Sequence, residues 1–300
     1  MNKLSITGLI HLGVVYVLWG STYLAIRIAV QEGSGFPPMI MSATRVFCGS
    51  LILLSLSKIF YKHSLRITRD EFLVLSISGL ALWWGGNGLV AIAEKNVHSG
   101  YAALIISCTP IWVAIIESFL DKKTPSFFLV SSLFISVLGI IILNWTAIST
   151  NNTTDLWGTF LLVTAGLSWG AGSIYQKRKN LQTSPEISSA YQQLSGGLAL
   201  FISSYMISEP SITPSLSAWL SWGYLIIFGS VIAFTSFIKA LKLLPANIVF
   251  TYAFVNPIVA VLLGFIILNE SITGLTIIGS SLVLLGVFGV FKEKNSRTKK

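Results

Sequence analysis

The stretch FTYAFVNPIVAVLLGFIILNE, Phe250 to Glu270, decides the class of this protein. Nineteen of its residues, Phe250 to Leu268, pass without a charge. A bilayer crossing takes about 20 such residues. Polar groups nevertheless crowd its first half: Thr251, Tyr252, Asn256 and then Pro257. Pro257 has no backbone N–H and disturbs the turn before it, which frees a carbonyl. A free carbonyl and an amide are costly against lipid and are tolerated beside protein or a wet cavity. The segment is therefore expected to line something, with the break at the proline. A second copy stands 147 residues earlier, where Thr109-Pro110 occupies the place of Asn256-Pro257.

The whole chain has the same character. Its 300 residues are 53% hydrophobic and 10% charged. A soluble domain carries about 25% charged residues, so this composition cannot clothe a soluble surface. Ten apolar segments follow one another: Gly8–Val30, Pro38–Ser57, Phe72–Ala93, Tyr101–Leu120, Phe127–Trp145, Trp157–Tyr175, Ile187–Ile207, Trp219–Ala240, Asn247–Leu268 and Ile272–Phe291. The runs are continuous rather than alternating, which excludes membrane strands. The expected fold class is an all-α polytopic membrane protein. The first run is of spanning length and leads into more chain, so it reads as a helix and not a cleaved signal.

Charge placement gives the orientation. With the N-terminus in the cytoplasm, seventeen of the twenty Lys and Arg residues fall on the inner side, including Lys3, Lys122, Lys123 and the tail 292–300. The outer side holds Lys95, while Arg27 and Arg45 lie within segments. Lys and Arg mark cytoplasmic loops. Both termini are thus expected inside, and the net charge of +9 reads as an orientation signal with lipid contact rather than as a nucleic-acid surface.

The chain repeats itself. Trp19-Gly20-Ser21 in the first segment matches Trp169-Gly170-Ala171 in the sixth, at an offset of 150. Gly49 matches Gly196, Pro110 matches Pro257 and Gly139 matches Gly286, each at 147. Five segments are an odd number, so the second set enters the membrane from the opposite side. This is an inverted repeat, the plan of many secondary transporters. The expected units are a first repeat over 7–145, a second over 157–291 and a basic cytoplasmic tail over 292–300.

Three stretches carry a family resemblance: Trp19 to Val30 (WGSTYLAIRIAV), Gly86-Asn87-Gly88, and Thr251 to Gly264 (TYAFVNPIVAVLLG). They resemble the EamA family of the drug/metabolite transporter superfamily, its YedA-like bacterial inner-membrane members above all. The resemblance covers nearly the whole chain. It implies ten helices in two five-helix repeats, a central pathway, and transport of small metabolites, usually export. A Gly-Glu pair usual near the end of the ninth helix is replaced here by Asn269-Glu270, and Glu270 is given no coupling role.

Substrate contacts are sought among polar and aromatic residues at membrane depth. Arg45 is either a contact for a substrate carboxylate or a gate, or a hydrogen-bonding strut; its repeat mate is the neutral Gln192. Asn87 sits among glycines that let helices approach closely. Trp19, Trp83, Trp84 and Trp169 lie deep, away from the interfacial belt, and Trp84 is taken as the contact from the third helix. With Tyr23 and Tyr252 they can wall a cationic or aromatic solute, although packing explains them equally well. Thr109 and Asn256 complete the set. The pathway is expected between the first, third, fourth, sixth, eighth and ninth helices. Glu117 is read as the one carboxylate inside a helix, and it can reach the interface, which makes it a poor carrier for a coupling proton. Arg27 and Lys177 match at an offset of 150 and could gate opposite mouths. His11, His63 and His98 are scattered, and no nucleotide loop, metal spacing or catalytic motif appears. The reading is a secondary carrier for an amino acid or similar amphipathic solute, with no cofactor, a coupling proton as a candidate partner, and either monomer or homodimer. A passive channel and an intramembrane enzyme are the rivals.

Overall fold

The computed structural model describes residues 5–297 apart from 123, 151, 152 and 180, and side chains except those of 147, 153, 154 and 290–297. Lys3, Lys123, the Asn151-Asn152 link, and the side chains of the tail 292–300 lie outside the described residues. Among the described residues there are ten helical passes: α1 Ile6–Val30, α2 Pro38–Ile59, α3 Arg69–Glu94, α4 Ser99–Leu120, α5 Phe127–Leu143, α6 Thr153–Arg178, α7 Pro185–Met206, α8 Leu216–Leu243, α9 Ala246–Leu268 and α10 Gly274–Arg297. Six of them, α1–α4, α8 and α9, are long and apolar enough to cross a membrane unaided.

The starts of the helices are written in local chemistry. Ser5, Ser126, Ser184 and Ser215 each accept a backbone N–H from the first turn that follows. Thr68 and Glu71 form a reciprocal capping box at the start of α3. Such caps satisfy donors that helix geometry leaves free. Pro38, Pro110 and Pro185 occupy first-turn positions, where a missing N–H costs nothing.

Breaks within helices fall in two kinds of place. In α4 the chain turns at Ser107 and Cys108, directly before Thr109-Pro110. In α9 the turn lies at Phe250 and Thr251, and the helix Tyr252–Leu268 runs on through Pro257. The expected break at Pro257 is therefore displaced by about two turns. Ala253 and Phe254 instead donate backward across tight three-residue turns to Phe250 and Thr251. Both α3 and α8 contain a nine-residue π-helical stretch, Leu80–Gly88 and Leu225–Ala233. Wide turns of this kind gather at functional sites, and these two face each other across Arg45. Helix α3 also ends one residue later than expected, which carries Glu94 into the bundle.

Packing follows the inverted repeat. Helix α1 packs against α8 and α9; α6 packs against α3 and α4. Helix α2 lies along α7, α5 along α10, and the α2–α8 contact has its partner in α7–α3. Exchanging the two halves turns each pairing into another on the same list. The α5–α10 contact shows why the glycines repeat. A Cβ on Gly139 would stand 2.8 Å from the Gly279 carbonyl, and one on Gly286 would stand 2.6 Å from the Ser132 carbonyl. Either side chain would push the helices apart.

Candidate functional site

A cavity lies between the repeats, toward the end of the bundle opposite the termini. It is narrow in this conformation, about 60 Å³, below the ~300–1,000 Å³ usual for small-molecule sites, so a bound solute requires its walls to move apart. Its walls come from α1 (Trp19, Thr22, Tyr23, Ile26), α2 (Arg45), α3 (Trp83, Gly86, Asn87, Val90), α4 (Ile106), α6 (Ala165, Trp169) and α9 (Tyr252). Helix α2 thus takes the place expected for α8. Helix α8 contributes from behind, through Ser230.

The floor is aromatic. Trp19 and Trp169, the repeat mates, meet edge to face at 5.3 Å between ring centroids. Residues at matching positions of two repeats that touch each other must lie on the pseudo-twofold axis. Trp19 also meets Tyr252 at 5.4 Å and Phe237 at 4.9 Å, and Trp83 meets Phe234 at 4.8 Å. Beyond this floor, toward the termini, Leu12, Val15, Phe237, Leu241 and Phe250 fill the bundle. The cavity therefore stops at the Trp19–Trp169 pair.

Arg45 is the charge in the wall. It is 2% exposed, and its Nε donates to Ser230 Oγ at 2.8 Å and its Nη1 to Asn87 Oδ1 at 3.1 Å. The guanidinium also lies 5.4 Å from the Trp83 ring centre. All of these partners are neutral. Among the described residues the one ion pair is Arg178–Asp121, on an exposed edge. A Cβ on Gly229 would come within 2.7 Å of Arg45 Nη2, so the π-stretch of α8 leaves just enough room for the guanidinium. A buried cation with neutral partners is costly by itself and is well suited to receive an anionic group.

Of the residues singled out in the sequence, Trp19, Tyr23, Arg45, Asn87, Trp169 and Tyr252 come together around this cavity. Four do not. Trp84 is 45% exposed and donates to Ser203 on the outside of α7. Its neighbour Trp83 takes the wall position, with an indole N–H that has no partner among the described residues. Thr109 is enclosed between α4 and Gly166 of α6 and donates to the Ile106 carbonyl. Gln192 donates to Ser78 and Gln176, tying α7 to α3 and α6. It reaches α3 as Arg45 reaches α8. Asn256 is buried one turn beyond Tyr252, and its Oδ1 is unpaired. The signal for Trp83 was present in the spacing: residues 83, 87, 90 and 94 share one helix face.

That face ends in a correction. Glu117 is not the one carboxylate inside a helix. Glu94 closes α3 with 0% exposure, and neither carboxylate oxygen has a hydrogen-bond partner among the described residues. Arg27 donates to the Glu94 backbone carbonyl at 2.5 Å. Its repeat mate Lys177 donates to the carbonyls of Leu241 and Leu244, at 2.6 and 2.8 Å. Each basic residue thus holds the carboxyl-terminal end of a helix, where cations are favoured: Arg27 on α3 and Lys177 on α8, at opposite ends of the bundle. Glu270 has a different task. Its carboxylate accepts the backbone N–H groups of Ser99 and Gly100, at 2.8 and 3.2 Å, and the Ser99 hydroxyl at 3.0 Å. It bolts the end of α9 to the start of α4.

Comparison with known proteins agrees with the geometry. Residues 6–145 and 156–292 each match the EamA-like transporter family. The inner membrane transporter YedA of Escherichia coli (strain K12) is 34% identical over 252 residues, spanning 83% of this chain and 79% of that one. The transporter YoaV of Bacillus subtilis (strain 168) is 22% identical over 282 residues, 93% of this chain and 95% of its own. A solved crystal structure at 17% identity superposes with a TM-score of 0.69 over 94% of this chain and 96% of the other; it shares the fold.

Proposed function

We propose that this chain, which belongs to the EamA-like transporter family, is a secondary carrier that exports an amino acid or similar amphipathic metabolite across the bacterial cytoplasmic membrane by alternating access. The observation that carries the reading is Arg45: a buried cation with only neutral protein partners, set in a cavity on the axis between inverted repeats. A solute carboxylate supplies the missing anion. The faces of Trp19, Trp83, Trp169, Tyr23 and Tyr252 suit an ammonium or an aromatic side chain. The repeat supplies the motion: a conformation available to one half has an inverted counterpart in the other, which gives inward- and outward-open states of similar energy. The distribution of Lys and Arg supports cytoplasmic termini, and with them a cavity that opens toward the outer side.

The test is counterflow in proteoliposomes. Vesicles loaded with an unlabelled amino-acid mixture are expected to take up a labelled tracer transiently above equilibrium, with saturation. Unitary electrical conductance in a planar bilayer would sink the carrier and leave a channel.

A further inference from the structure

We infer that Glu94 is a proton-binding site, at which the carrier exchanges a proton for its solute. The inference rests on the carrier reading for its purpose, and on three observations for its place.

The first is the surroundings. Arg27 of α1 is bonded to the Glu94 backbone carbonyl, and Tyr23 of α1, Arg45 of α2 and Glu270 beyond the end of α9 are the other ionisable groups near enough for their charge to act on it. Helix α6 contributes Leu161, Leu162 and Ala165, and α4 contributes Ala102 and Ile105, all in one apolar cluster with Val90, Ala91 and Ala93 of α3. Neither arginine forms an ion pair with the carboxylate. An ionised carboxylate held there without a donor costs several kcal/mol. A proton removes that cost and needs no further space.

The second is the contrast with Glu270. A carboxylate that serves structure in this bundle has donors: Glu270 accepts from two backbone N–H groups and a hydroxyl. Glu94 accepts from none.

The third is the repeat. The clamp on the end of α3 uses the Glu94 carbonyl and not its side chain. At the matching place in α8 the same clamp is made by Lys177 on Leu241, 147 residues on. A leucine meets the structural need, so the carboxylate is an addition specific to the outer half. It sits one turn beyond Val90 of the cavity wall. With the outer end open, water reaches Glu94 and the carboxylate takes a proton from the outer side as the solute departs. The protonated carboxyl is then enclosed, and with the inner end open it gives that proton to cytoplasmic water before the next solute is carried out.

Two measurements on the full chain in lipid test this. Infrared difference spectra at neutral pH should contain the C=O band of an enclosed protonated carboxyl. The band should vanish in Glu94→Gln, shift in Glu94→Asp and persist in Glu117→Gln. Next, proteoliposomes with the membrane potential held at zero receive a labelled amino-acid mixture and a one-unit pH gradient. Wild-type protein should accumulate label about tenfold at one proton per solute, Glu117→Gln likewise, and Glu94→Gln should lose the accumulation. If the wild type lacks the band, or Glu94→Gln keeps it, the site is wrong. Accumulation by Glu94→Gln equal to wild type would also overturn it. Where Glu94→Gln does not fold, an unshifted band in Glu94→Asp overturns the assignment. An absence of wild-type counterflow is a separate failure: it removes the carrier reading, and the infrared result still decides the proton.

Discussion

Arg45→Gln gives Arg45 the residue that the second repeat already carries at Gln192. A guanidinium has five N–H donors. Two are committed in the structure, to Ser230 and Asn87, and the others are available to a solute. Hydrogen bonds to a charged group contribute about 1.5–3 kcal/mol. Losing one such bond to a solute carboxylate weakens binding about 10- to 150-fold at 1.36 kcal/mol per decade. The folded state loses less. Ser230 and Asn87 each forfeit a donor, but a buried cation without a counter-ion disappears as well, and these terms oppose each other. The unfolding midpoint is therefore expected to stay close to wild type while selectivity changes. Calorimetric titration of the purified protein with amino acids, and with the amine that lacks each carboxylate, reads this directly. Wild-type protein should prefer the acid, and the variant should bind acid and amine alike. An unchanged preference refutes the carboxylate contact. Loss of folded protein with no change in selectivity makes Arg45 a strut.

Three further outcomes follow from the packing. Asn256 lies outside the cavity wall with its amide oxygen unpaired, so Asn256→Ala should leave both folded yield and flux per folded molecule close to wild type; a selective loss of flux would put Asn256 on the pathway. Glu270→Ala strands the N–H groups of Ser99 and Gly100 and should cost about 1–3 kcal/mol in reversible unfolding, with Glu270→Gln milder because an amide oxygen still accepts; an unchanged Glu270→Ala would show that water replaces the bolt. Gly286→Val places a side chain against the Ser132 carbonyl, 2.6 Å from its Cβ, and overpacking of this kind costs about 1–3 kcal/mol. Gly139→Val should lower the melting temperature comparably, since the two glycines are repeat mates on the same interface, and a large inequality would break the symmetry argument.

Some of this architecture was legible in the residues alone. Hydrophobic run length, Pro and Gly positions and the 147- and 150-residue offsets are one-dimensional properties, and they are enough to specify ten helices and an inverted repeat. Trp19 and Trp169 could be paired by offset, and the structure brings them into contact because matching positions on α1 and α6 fall on the axis. Trp83 and Trp84 show the opposite case. They are adjacent in sequence, yet a helix turns them about 100° apart, and only the neighbours decide which one faces the cavity. Arg45 could be recognised as buried, but its neutral partners come from α3 and α8, 42 and 185 residues away. Glu94 looked like the first residue of a loop. It became an enclosed carboxylate because α3 continues one residue further and α1, α2, α4 and α6 close around it. Chain-local chemistry determined the helices and their order. The electrostatic environment of a side chain depends on what other helices bring to it, and that was settled only by the tertiary structure.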